Sequence, residues 1–451
     1  MILRKDKWFL IIGSVLLAAG LVFYLIGFYP GFMSVDSISQ WKQMVEFKFS
    51  SWHPVISTLF YYICARLWNS PASVAMAQIL ILTIVFMFGI YVLLKLKVNK
   101  IILSFSILFF ALYPTNGLMV INLWKDIMYS IMLLWLTIIL IEIITSKGKW
   151  LAPRYHRIIL IINLLGVIFL RYNGILTFAL VIISLAIVFK KYRKKTIGIT
   201  IIIMIMYGII SGPFFNLLKV EKEPSVEALG IPMQQVAAVI KYNGMLNQHQ
   251  KEFFNKLLPL NLWASEYNPY STNPIKFNDK FDVLYASQHK GEFIKFWSVA
   301  VINNPGIVTE AYLKHTSMIW RPVPYKDAYT YTLTAGISKN DMGLKSAVLS
   351  QGVTYRANRI LSYTLETDKM IYFWRPAVWL YICIIAGLII AKLRGKEYLL
   401  LLVPILSNSL AFMIATPAQD YRYQYVNFLI ASIMVPMTIG LLIKRKQVSN
   451  N

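Results

Sequence analysis

Cysteine is close to absent from this chain: Cys64 and Cys383 are the only two in 451 residues, and both sit inside apolar runs. That excludes a disulfide framework and a thiolate metal site. Histidine is nearly as scarce, with five, and no D-x-D or H-x-x-x-H pattern supplies a ligand set. No metal is therefore required, and a divalent cation stays open as a cofactor. No P-loop, Gly-rich nucleotide fingerprint or Ser-His-Asp arrangement is present, which argues against direct use of ATP or a nucleotide-sugar. Charged residues make up only 14% of the chain against 57% hydrophobic, far from a soluble globular composition.

Long apolar runs fill that gap, and they predict an all-α polytopic membrane protein. The net charge of +25 suggests nucleic acid only until its distribution is read. Of the 45 Lys and Arg, 21 lie in six short clusters, at 4–7, 95–100, 147–157, 190–195, 392–396 and 444–446. Each flanks an apolar run, as cytoplasmic anchors do under the positive-inside rule, and anionic lipid would strengthen them. The partner implied is the lipid bilayer, of a bacterial plasma membrane, and not nucleic acid. The run at 8–29 follows the basic start, is too long for a signal-peptide core and lacks a small-residue cleavage site, so it reads as an uncleaved first span.

About ten spans are expected, with both termini cytoplasmic. Residues 1–218 hold seven spans and a first outer loop, 219–375 form an extracytoplasmic domain, and 376–451 hold three spans and a cytoplasmic tail. The 157-residue outer segment has 18 basic and 13 acidic residues and no span, like an ordinary solvated domain. Helical stretches are expected in it at 235–242 and 305–320. In the first outer loop, residues 36–45 form an amphipathic helix, with Ile38, Trp41, Met44 and Val45 on one side. Residues 54–68 are marginal for a span and read either as a helix lying along the membrane surface, which the basic clusters favour, or as a tilted span, which would invert the topology downstream.

Polar residues interrupt the apolar runs at five places: Asp36, His53, Lys125–Asp126, Arg171–Asn173 and Asp420–Arg422. On a positive-inside topology all five face the outer side, which suggests one polar cavity. The apolar stretch 158–170 reaches only about 20 Å at 1.5 Å per residue, against a bilayer core of about 30 Å. Arg171 therefore sits below the outer surface, near a cavity floor, where a guanidinium suits bidentate phosphate binding; the competing reading is a snorkelling or internally paired arginine. Lys125 is a second phosphate contact with Asp126 as its orienter, or the pair is a helix-start device. Asp36 is placed to deprotonate a hydroxyl, or is an N-cap. His53 binds phosphate or a sugar hydroxyl, or caps the next helix. Asp420, Arg422 and Tyr423 line the cavity rim, although tyrosines also mark membrane interfaces. After span seven, Gly230–Gln235 reads as a tight turn whose paired amides, Gln234 and Gln235, bind sugar hydroxyls or cap the turn.

These features together resemble the GT-C superfamily of polytopic glycosyltransferases. The shared points are an acidic residue in the first outer loop (Asp36 in FMSVDSISQW), amphipathic helices in that loop and a late outer domain. More closely, the chain looks like a group of bacterial multi-spanning proteins of unassigned function related to that superfamily. The fragments that carry this are YPGFMSVDS, SWHP, WKDIMY, RYNG, GIPMQQ and DYRY, spread from residue 29 to 423. The resemblance implies a GT-C-like helix arrangement and transfer of a sugar from a polyprenyl-phosphate carrier to a cell-envelope acceptor on the outer face. By that carry-over Asp36 is the catalytic base, while Arg171 and Lys125 match only the general idea of carrier-phosphate ligands. Many members show a paired acidic motif in the first loop; here Asp36 stands alone, with Glu46 ten residues on. The rival readings are a glycan ligase or polymerase using a diphosphate-linked lipid, a transporter or flippase for a lipid-linked or anionic substrate, and a membrane-anchored binding protein.

Overall fold

The structure is a computed structural model that describes residues 4–449 except 225, 329–332 and 334. Every regular element among the described residues is helical, and extended backbone occurs there only as isolated bridges. The helices needed below are α1 (Arg4–Gly27), α2 (Val35–Glu46), α3 (Val55–Leu67), α4 (Pro71–Lys95), α5 (Lys100–Leu112), α6 (Pro114–Val120), α7 (Lys125–Thr145), α8 (Arg154–Leu170), α9 (Gly174–Val188) and α10 (Arg193–Ile209). They continue with α11 (Gly230–Lys241), α12 (Pro305–Trp320), α13 (Gln351–Thr364), α14 (Pro376–Arg394), α15 (Val403–Ile414) and α16 (Tyr425–Ser449).

Among the described residues, seven runs are long and apolar enough to cross a bilayer. These are α1, α4, α7 and α14, the run Lys190–Leu217 around α10, the run Lys396–Ile414 ending in α15, and the run Tyr421–Arg445 in α16. α5 and α6 pass together as an eighth, bent by 58°. The bend falls at Pro114, which has no N–H to continue the ladder of α5. The chain is therefore a multi-pass membrane protein. α8 has 17 residues and α9 has 15, short of a full-length span. α3 has 13 residues, about 20 Å of helix, so the stretch read as marginal for a span is short in the structure too.

The chain divides into two compact units. The first comprises Met1–Glu221, Leu333–Asn408 and Arg422–Asn451; the second comprises Lys222–Thr332 and Ser409–Tyr421. In the first unit α7 is apolar on all faces and correspondingly buried all round, with Ile131, Leu134, Ile138 and Ile141 inaccessible. α10 is the opposite case: Ile201, Ile205 and Ile209 are each more than half exposed, as lipid-facing residues are. The second unit has its own core around Met233, Phe254, Trp263 and Phe293.

Three expectations change. The division departs from 219–375, because Leu333–Asn408 groups with the first unit and Ser409–Tyr421 with the second. α13 lies against α1 so closely that a Cβ on Gly27 would meet that of Ala357 at 2.5 Å. In α2 the buried face is Ser37, Gln40, Trp41 and Met44, while Val45 is 61% exposed. The polar members are buried because they are hydrogen-bonded, Ser37 to the Leu123 carbonyl at 2.6 Å and Gln40 to the Ser57 and Thr58 hydroxyls. Finally, Gly230–Gln235 is not a tight turn but the opening of α11, where Pro232 sits in a first turn whose N–H groups need no intrahelical partner. The helix expected at 305–320 is α12.

Candidate functional site

The first unit gathers its charges around a short non-helical segment, residues 121–124, between α6 and α7. Phe32 and Leu123 exchange backbone hydrogen bonds with this segment and its partner loop, Phe32 N–H to the Ile121 carbonyl at 3.0 Å and Leu123 N–H to the Phe32 carbonyl at 2.9 Å. The Leu123 carbonyl also accepts from the Ser37 and Tyr61 hydroxyls, and the Trp124 indole N–H donates to Ser34 Oγ at 2.7 Å. Gln78 of α4 donates to the Val120 and Asn122 carbonyls from below. The loop carrying α2 and α3 is thereby docked on the entry to α7, and Asp36 is brought beside Lys125 and Asp126.

Arg422 joins these elements. Its Nη1 donates to Asp36 Oδ2 at 2.9 Å, and its Nε lies 3.8 Å from Asp126 Oδ2. The guanidinium stands over the Trp124 ring at 4.7 Å and the Tyr423 ring at 5.2 Å. Asp126 is 1% exposed and is also ion-paired to Arg171, which itself packs over the Tyr423 ring at 4.8 Å. Lys125 donates through Nζ to His53 Nδ1 at 3.1 Å; an ammonium has no acceptor, so the imidazole carries its proton on Nε2. Three cations thus meet two carboxylates and a buried histidine. Removing such charges from water costs several kcal/mol per ion unless each is paired; the two arginines share the two carboxylates, while Lys125 is hydrogen-bonded to the histidine.

The electrostatics follow from the contacts. Burial works against ionisation of Asp36, but Arg422 and then Lys125 outweigh it and hold the carboxyl well below the usual carboxylate range. Burial, reinforced by the Lys125 charge, pushes His53 down to about 3, so the ring is neutral at ordinary pH.

Local sequence explains the placements. The N-cap of α2 is Ser34 and that of α3 is Pro54, so neither Asp36 nor His53 is a cap. Asp126 is in the first turn of α7, where a carboxylate complements the helix dipole, but its side chain is spent on arginines. α8 starts at Arg154, four residues earlier than the apolar stretch implied, and ends where Arg171 turns extended with φ −150° and ψ 136°. Gly174 permits the return into α9: a Cβ there would fall 1.9 Å from the Val167 carbonyl oxygen, and its N–H closes the turn onto the Arg171 carbonyl at 2.9 Å. Each contributing helix reaches the network by the end opposite its basic cluster. α7 starts at Lys125 and is followed by 147–157, α8 starts in that cluster and ends at Arg171, and α16 follows Arg422 and ends at 444–446.

Six sequence-predicted residues therefore come together: Asp36, His53, Lys125, Asp126, Arg171 and Arg422, with Tyr423 as an aromatic wall. Asn173 is half-buried in the turn before α9 and makes no side-chain cap there. Asp420 is half-buried in the closing segment of the second unit. Gln234 and Gln235 are buried in that unit, where Gln234 donates to the Pro269 carbonyl at 3.2 Å. Gln235 donates to the Val308 carbonyl and accepts from the Trp297 indole at 2.7 Å. Both amides hold α11 to its neighbours. Sequence reasoning missed Trp124, whose only signal was its place before Lys125. Among the described residues no group of three or more His, Cys, Asp or Glu side chains converges as metal ligands would.

The chain belongs to DUF6020, a family of unknown function, whose model matches residues 48–450. The match takes in His53, Lys125, Asp126, Arg171 and Arg422 and begins after Asp36. No curated protein and no solved structure matches the chain.

Proposed function

We propose that this protein is a membrane glycosyltransferase of GT-C type, moving a sugar from a polyprenyl-phosphate carrier to a cell-envelope acceptor on the outer face of a bacterial plasma membrane. The observation that carries the reading is the gathering of Lys125, Arg171 and Arg422 at the helix ends opposite the basic clusters. Those clusters mark the cytoplasmic side by the positive-inside rule, so the cations face outward. Ten spans follow if α8 and α9 are counted with the eight long or broken ones, their shortness setting Arg171 below the outer surface.

In this reading the carrier phosphate takes up the surplus positive charge. Arg171 and Arg422 offer bidentate donors and Lys125 a point charge. The acceptor hydroxyl attacks the anomeric carbon, the bond from that carbon to the phosphate oxygen breaks, and polyprenyl phosphate leaves with its charge held by the cations. Asp36 accepts the hydroxyl proton. Arg422 must shift from Asp36 towards the phosphate for that step, because a carboxylate locked to a guanidinium is a poor base. Three cations suit a diphosphate as well as a monophosphate, which keeps a ligase or polymerase using a diphosphate-linked lipid as the second reading.

The test is the purified protein in nanodiscs, supplied with mono- and diphosphate-linked polyprenyl sugars and an envelope extract and followed by mass spectrometry. Release of polyprenyl phosphate by the wild type, lost in Asp36→Asn and in Arg171→Ala, supports the transferase. Release of polyprenyl diphosphate from the diphosphate-linked donor alone selects the ligase. Binding without turnover for both lipids, together with movement of lipid between leaflets, overturns the reading in favour of a flippase.

A further inference from the structure

The network faces one side of α2; the other side is open. Val35, Ile38, Ser39 and Gln43 recur at helical spacing, Val35 exposed and the other three half-buried, and form one wall of a groove of about 640 Å³. The facing wall is the loop 339–341, held in register by backbone bonds between Met33 and the stretch 336–338. That loop is stiff: Asn340 donates to the Ser338 and Leu344 carbonyls and accepts from the Met342 and Leu344 N–H groups. Lys42 braces the walls, 2.8 Å from Asp341 and 3.9 Å from Glu46.

Asp36 lies on the margin between this groove and the buried network. On a helix it is about 20° of arc from Gln43 and about 60° from Ser39, both groove residues. Its other side meets Arg422. A chain lying in the groove therefore ends beside the carboxylate without crossing the ion pairs. The α2 wall sets the Ser39 hydroxyl beside short apolar patches at Val35 and Ile38, as the O–H and C–H faces of a sugar require, while the Gln43 amide is taken up by Ser50. The charge is unbalanced. The lining holds three lysines and two acids, a net of +1: both acids, Asp341 and Glu46, pair with Lys42, whereas Lys48 and Lys339 border the groove with no ion pair among the described residues.

We infer that this groove is the acceptor subsite and that it takes an anionic glycan chain. The inference rests on the proposed transferase activity and adds the acceptor's chemical class to it. Lys48 and Lys339 select a carboxylate- or phosphate-bearing polymer over a neutral one, and the groove directs its terminal hydroxyl to Asp36.

The experiment measures binding to the protein in neutral-lipid nanodiscs, with hexagalacturonate as the anionic probe and maltohexaose as the neutral one. Undecaprenyl phosphate is titrated in parallel as the reporter of the cation network. Wild type binds hexagalacturonate at least tenfold more tightly than maltohexaose. Lys48→Glu with Lys339→Glu loses tenfold or more of that affinity and keeps its melting temperature and its affinity for undecaprenyl phosphate. Equal affinity for the two glycans, no glycan binding, or hexagalacturonate binding unchanged in the double variant overturns the acceptor assignment. Loss of undecaprenyl phosphate binding in Arg171→Ala is read separately, so failure of the groove and failure of the carrier site do not coincide. A Ser39→Trp variant, which fills the groove without altering charge, must also block the glycan.

Discussion

Arg422 Nη1 lies 2.9 Å from Asp36 Oδ2, across 386 positions of sequence. The pair joins the first loop to the start of the last helix, and because the same guanidinium approaches Asp126 it couples both carboxylates to one cation. Asp36 keeps 37% of its side chain exposed, so water screens part of this interaction.

The pair makes stability depend on pH with a definite sign. The folded-state pKa of Asp36 is depressed, so its contribution is complete above the unfolded value of about 3.9 and is lost as pH falls through the folded value. Arg422→Gln removes the main opposing charge and lets burial raise the carboxyl. Its destabilisation, roughly 1–2 kcal/mol between the exposed- and buried-pair ranges, is greatest above pH 5 and shrinks towards pH 3. Thermal unfolding in detergent from pH 3 to 7, against wild type, reads this directly; a deficit independent of pH contradicts it.

Asp126 carries the heaviest electrostatic load, being 1% exposed and facing Arg171 and Arg422. Asp126→Asn leaves two guanidinium groups without their shared anion and costs about 3–5 kcal/mol. Arg171→Gln in the same chain restores part of the loss. The coupling energy from the double-mutant cycle exceeds 0.5 kcal/mol, and simple additivity in melting experiments refutes the shared pairing.

His53 acts through Lys125. Folded His53 stays neutral to about pH 3, whereas the unfolded imidazole binds a proton below about pH 6.5. Its depressed value therefore makes wild type lose stability as pH falls from 7 to 4, by up to about 1.4 kcal/mol per pH unit. His53→Asn removes that slope while keeping an acceptor for Lys125, and His53→Ala removes both. Affinity for undecaprenyl phosphate falls about tenfold in the alanine variant and less in the asparagine variant. Identical affinities for the two variants exclude a positioning role.

The residues of this site were legible in the sequence because charge beside long apolar runs is costly and therefore conspicuous. Of the 20 acids only seven lie outside 219–375, and two of those seven, Asp36 and Asp126, are in the network. The partners were not legible. Nothing local shows that Arg422 reaches Asp36, or that Asp420, two residues earlier, falls in another unit. The buried face of α2 misled for a related reason. Periodicity ranks Val45 above Gln40, but hydrogen bonds donated by Gln40 to the Ser57 and Thr58 hydroxyls and by Ser37 to the Leu123 carbonyl make the polar positions the inward ones. Gln234 and Gln235 looked like ligand groups because an amide serves a sugar and a backbone carbonyl equally well, and only the fold reveals which is present.

The docking of the first loop on residues 121–124 also sets an order of assembly. Asp36 leaves the ribosome almost ninety residues before Leu123 and Trp124, which hold its loop, and 386 residues before Arg422. During synthesis the early carboxylate waits without its main counter-ion while helix after helix enters the bilayer. The network closes only when the segment leading into α16 arrives, so Asp36 gains its main counter-ion from a segment 386 positions later rather than span by span.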